Sequence, residues 1–139
     1  MLPKKFGYHI SGDSMQKRVT RYVEDTSQTP HDVVHACDVY LDGYGMMRYC
    51  RRHDLPLVVM SHAVDLKNFD RFNGKVQTRI RETIDYASRV LVVSDELGDV
   101  AKQFAPDEKV ETVPIGEDPE KFPTDRRAQI RAELGVDPE

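Results

Sequence analysis

Four short apolar runs, each followed by a stretch with helical spacing, set the pattern of this 139-residue chain. Asp32-Val-Val-His-Ala36 reads as a short buried strand and Leu55-Pro-Leu-Val-Val-Met60 as the clearest one. Arg89-Val-Leu-Val-Val93 is a third, and residues 109–114 are a fourth. Near-continuous Val and Leu is what strands show when a parallel sheet is covered on both faces. Between the strands the period changes. Over residues 14–25, Met15, Val19, Tyr22 and Val23 share one helical face. Residues 43–52 form a second helix, with Met46, Met47, Tyr49 and Cys50 as its apolar side. Over residues 73–88, Val76, Ile80, Ile84 and Ala87 continue a spacing of four and three that starts at Phe72. Ser94 is a good N-cap, and Asp95 and Glu96 follow in the first turn, where carboxylates suit the helix dipole. That helix buries Leu97, Val100, Ala101 and Phe104. Residues 116–123 are turn-rich, and a last helix over 125–134 stops at Gly135 in the C′ position. Strands alternating with amphipathic helices predict an α/β fold, a Rossmann-like parallel sheet with helices on both faces.

Such sheets bind ligands just beyond the carboxyl ends of their strands. Here those ends are residues 37–43, 61–72, 94–96 and 115–118. Ser61-His62-Ala63-Val64-Asp65 follows the strongest strand, so His62 can contact a polar ligand with a carboxylate three residues on. A loop histidine bonded to local backbone is the competing reading. His31, His35 and Cys37 lack a second paired ligand set and do not have the spacing of a structural zinc site. His35 is expected to be packed or capped at the strand end. Ser94 lacks the Gly-x-Ser-x-Gly elbow of a hydrolase nucleophile, and its N-cap role also points amides at a ligand. Arg48, Arg51, Arg52, Arg79 and Arg81 read as solvated helix faces. No Gly-x-Gly-x-x-Gly or phosphate loop marks a nucleotide site, and Gly43 and Gly45 are read as allowing a tight strand-to-helix turn.

Length and charge narrow the picture further. A chain of 139 residues suits one domain. The net charge of −4 argues against general nucleic-acid binding, which needs a basic face. Residues 107–139 hold 10 acidic and 5 basic side chains, a solvated acidic end. Cys37 and Cys50 make no disulfide framework and are expected to be reduced thiols. No apolar run approaches the roughly 20 residues of a membrane span. The first ten residues carry no apolar signal core, so a cytoplasmic protein is expected, with a membrane-peripheral location left open for the full-length form.

The segments in this order resemble the acceptor-side, N-terminal domain of family 4 (GT-B fold) glycosyltransferases. The likeness runs from Asp32-Val-Val-His-Ala-Cys37 through Leu55-Pro-Leu-Val-Val-Met-Ser-His-Ala-Val-Asp65 and Ala87-Ser-Arg-Val-Leu-Val-Val-Ser-Asp-Glu96. It is most specific at Lys109-Val-Glu-Thr-Val-Pro-Ile-Gly-Glu-Asp-Pro-Glu-Lys-Phe122, where the family shows a strand, Pro-x-Gly-x-Asp and then Phe. The resemblance implies a retaining transferase that moves a sugar from a nucleotide-sugar donor to an acceptor hydroxyl, with no required metal or other cofactor. It implies that His62 lies near the donor sugar as the catalytic residue. Cys37, Asp38, Tyr44, Ser94 and Glu96 would face a sugar, lipid or small-molecule acceptor, with Asp65 also binding substrate. Gly116 and Asp118 match the crossing toward a donor-binding domain.

Ala63 stands where the family usually has Gly, and Cys37 where it often has His. The expected layout is an N-terminal helical segment (1–29), a Rossmann-like core (30–123) and a linker helix (124–139) leading to a donor-binding domain outside the chain. Residues 1–29 do not supply the family's opening strand and Gly-rich loop. The expectation is therefore part of an enzyme, inactive as this chain alone. The alternative is a non-catalytic binding or regulatory module, or one half of a split enzyme. A flavodoxin-like or hydrolase domain has little support. Without the opening strand, the 32–36 strand would have an open edge, which predicts a homo-oligomer or a completing partner chain.

Overall fold

A computed structural model describes residues 8–26, 31–118, 121 and 126–136. Helix α1 (Tyr8–Thr26) comes first. Strand β1 (Val34–Ala36) runs into a π-helical turn (Val39–Tyr44) and then α2 (Gly45–His53). Strand β2 (Leu57–Ser61) is followed by the short α3 (Val64–Lys67) and the long α4 (Gly74–Tyr86). Strand β3 (Arg89–Val92), α5 (Asp95–Ala101), β4 (Val110–Thr112) and α6 (Arg127–Glu133) complete the order. Among the described residues no helix is long and apolar enough to cross a membrane.

The four strands lie side by side in chain order, and every pair is parallel. Val34 aligns with Leu57, Val59 with Val90, and Val90 with Val110. The expected Rossmann-like α/β parallel sheet is therefore present, flanked by helices, but these gather over one face and not over both as the sequence suggested. When strands are added in one direction, right-handed crossovers bring their helices to one face. Packing around two glycines agrees. A Cβ on Gly43 would meet Thr83 Cγ2 of α4 at 2.9 Å and Val59 Cγ1 of β2 at 3.0 Å. Gly43 is thus needed for close approach of the turn to both neighbours. Gly98 of α5 lies over the same face, where a Cβ would make ordinary contacts with Thr112 at 3.4 Å and Val92 at 3.7 Å. Ala36, Leu57, Val59, Val90 and Val92 point to this face and are buried with Ile80, Ile84 and Leu97 from the helices. On the opposite face His35, Arg89 and Glu111 are exposed, and Val58, Met60 and Leu91 are half-buried. His35 is therefore not packed as the sequence suggested, because it points to the face that the helices leave open.

Helix ends follow local chemistry. Asn73 Oδ1 accepts from the Val76 N–H at 3.1 Å, and Ser94 Oγ accepts from the Leu97 N–H at 3.3 Å. Gly135 takes φ +64, with its N–H donating to the Ala132 carbonyl and the Val136 N–H to that of Arg131, the expected glycine stop. Helix α1 packs on α2, the π-helical turn and α4. Arg79 of α4 fastens it, with Nη2 at 2.6 and 2.7 Å from the two carboxylate oxygens of Asp13. The same guanidinium lies 5.0 Å over the Tyr44 ring and donates to Tyr40 Oη at 3.3 Å. Cys37 is exposed and Cys50 buried, and both are free. Burial pushes the Cys50 thiol up to about 11.

Candidate functional site

Parallel pairing brings the carboxyl ends of all four strands to one edge. The loop after β1 folds into the π-helical turn. Cys37 is exposed at its start. Asp38 is half-buried, and its Oδ1 accepts from the Asp42 N–H at 3.0 Å while its carbonyl accepts from the Gly43 N–H at 3.1 Å. The second bond spans five residues, which opens the turn to a π-helix. Burial, and then the Asp38 charge, raise the Asp42 carboxyl. Tyr44 closes the turn but is drawn toward α1. Its ring stacks on Tyr40 at 6.0 Å, and its hydroxyl donates to Asp13 Oδ1 at 3.5 Å.

The loop after β2 supplies the centre. Ser61 is buried, and its Oγ accepts from the Ala63 N–H at 3.4 Å. His62 is exposed at the strand's end. Ala63 has φ +99 and ψ −38, a left-handed backbone that L-residues rarely take. The chain therefore turns sharply after His62 and enters α3. Asp65 in α3 faces inward and is 5% exposed. Its Oδ2 accepts from the N–H groups of Val39 at 3.0 Å and Tyr40 at 3.2 Å, which would otherwise be orphaned at the start of the π-helical turn. Burial, and then the Asp38 charge, push its carboxyl up to about 6 against the pull of those donors. As placed, Asp65 holds the β1 loop.

The loop after β3 is tied to the same centre. Lys67 Nζ donates to Glu96 Oε1 at 2.6 Å, joining α3 to the first turn of α5 and holding the Glu96 carboxyl below its usual range. Ser94, exposed, caps that turn. Gly116 and Asp118 are exposed further along the edge, in the segment after β4. That segment begins with the Val113 N–H bonded to the Val92 carbonyl at 2.8 Å. Through α3, Asp65 thus holds the turn that follows Asp38 while Lys67 holds Glu96, which ties three loops together, with His62 and Ser94 exposed beside them. Tyr44 turns to α1. Among the described residues, no group of three or more His, Cys, Asp or Glu side chains forms a metal cluster.

Lys67 was not singled out by its sequence, and its pairing with a residue 29 positions on leaves no local mark. The inward turn of Asp65 was also hidden, because its donors are backbone N–H groups 25 and 26 residues upstream. Ala63 did carry a signal. It occupies a position where glycine is usual, and the backbone there has the conformation glycine prefers.

A parallel sheet with its polar loops collected beyond the strand ends defines a Rossmann-like α/β domain. The sequence profile of Glycosyltransferase Family 4 matches residues 5–121, and the chain belongs to that family. No curated protein matches the chain.

Proposed function

We propose that the chain is the acceptor-side part of a retaining glycosyltransferase that moves a sugar from a nucleotide-sugar donor to an acceptor hydroxyl. The Glycosyltransferase Family 4 match over residues 5–121 carries this reading. His62 is the catalytic residue, near the donor sugar, and its exposed place at the β2 end supports that role. Cys37, Asp38, Ser94 and Glu96 line the acceptor side. Gly116 and Asp118 lead toward a second domain that holds the nucleotide, so the chain alone is inactive. The chemistry is electrostatic: the cleft holds the donor sugar and the leaving diphosphate and desolvates both. The protein works in the cytoplasm.

The test supplies a donor-binding domain from a family member, fused or mixed, with a panel of nucleotide-sugars and simple polyol acceptors. Nucleoside diphosphate release is expected with one donor in one arrangement, and none from the chain alone. His62→Ala should cut that release by about 100-fold, in line with loss of one positioned catalytic group. Normal turnover in His62→Ala removes the assignment. No release with any donor, fused or mixed, overturns the enzyme in favour of a non-catalytic binding module.

A further inference from the structure

The two faces of the sheet differ in what covers them. Toward α4 and α5 the strand residues are buried. On the other side Val58, Met60 and Leu91 are half-buried and stay outside the core. Val33 and Val113 prolong the apolar strip, 51% and 38% exposed. Register aligns His35, Val58 and Arg89 in one row, and Met60, Leu91 and Glu111 in the next. The strip therefore runs beside one exposed cation and one exposed anion. Neither Arg89 nor Glu111 has an ion pair among the described residues. Parallel sheets persist with both faces covered, and an exposed apolar patch marks association.

We propose that this face docks on the same face of a second copy of the chain. A two-fold axis passing over Leu91 brings Arg89 of each copy to Glu111 of the other, with Met60 and Leu91 packed between them. Charge decides for a like partner. A strongly acidic or basic surface would repel one of the two side chains, whereas a face with one charge of each sign complements itself. The platform is small. Strands about 4.8 Å apart and about 3.3 Å per residue make it roughly 19 by 13 Å, about 250 Å² per copy, well under the roughly 800 Å² per partner of a standard interface. The dimer is accordingly weak and transient, forming in the upper micromolar range.

Sedimentation velocity over about 5 to 300 μM reaches into that range. The chain should shift from monomer to dimer. Arg89→Glu alone and Glu111→Arg alone should each weaken association at least tenfold, and the double swap should restore it. Both side chains are exposed, so the core is untouched, and thermal melts check this. As a second reading, Leu91→Cys in a Cys37→Ser background should form a disulfide-linked dimer on mild oxidation. A monomer throughout overturns the proposal. So does a dimer indifferent to both single reversals, which would point to pairing at the open β1 edge.

Discussion

Ala63 is where one residue's chemistry is most at odds with its backbone. A non-glycine residue in such a region costs about 1–3 kcal/mol, and glycine takes it freely. Ala63→Gly gives back about 0.4–1 kcal/mol through the looser unfolded chain. The balance predicts a gain of about 1 kcal/mol and a melting temperature higher by about 4 °C. A differential scanning melt checks it, and a lower midpoint would mean that the alanine is unstrained. At this scale much was legible. His62 stands at the end of β2 where the apolar run ends, and Ser94 caps α5 as a serine ahead of two carboxylates should. Asp65 was legible only as a carboxylate near the edge. Its function as an acceptor for the Val39 and Tyr40 N–H groups is a tertiary fact.

Among the elements, periodicity placed α2, α4, α5 and α6 and all four strands, since burial imposes the spacing that reveals them. What periodicity missed is the π-helical turn. Its geometry depends on Asp38, on the space left by Gly43 and on Asp65, and no window of neighbouring residues contains all three. Helix α1 extends well beyond the expected 14–25, and its attachment was equally hidden. Arg79, read as a solvated base, is the clamp that holds Asp13 and covers Tyr44. Arg79→Ala should cost about 1–3 kcal/mol, the range for losing charged hydrogen bonds and a cation–π contact. Hydrogen exchange should show α1 amides at least tenfold faster while β2 and β3 keep their protection. Arg79→Lys should not rescue, because an ammonium cannot reach Asp13 and Tyr40 from separate nitrogens while lying flat over Tyr44. Equal loosening of β2 and β3 would mean that α1 is not a separate unit.

For the whole molecule, Asp65 couples the fold to pH. Its native carboxyl holds a proton up to about pH 6, whereas the unfolded group releases it near 3.8. The native state therefore binds more protons between those values. The stabilisation from this group is full below the unfolded value and lost as pH rises through about 6. Urea unfolding should show the chain about 1 kcal/mol more stable from this source at pH 5 than at pH 7. Asp65→Asn should flatten that rise, and an unchanged slope would assign the effect elsewhere. The molecule's order of assembly follows from another feature, the sheet order β1-β2-β3-β4. Chain order and spatial order coincide, so each strand emerging during synthesis finds its neighbour already made. Strand pairings join only consecutive strands, so the sheet closes the shortest crossovers a parallel arrangement allows. The ribosome could thus release this domain one strand and helix at a time, each addition templated by the last, without waiting for its final residues.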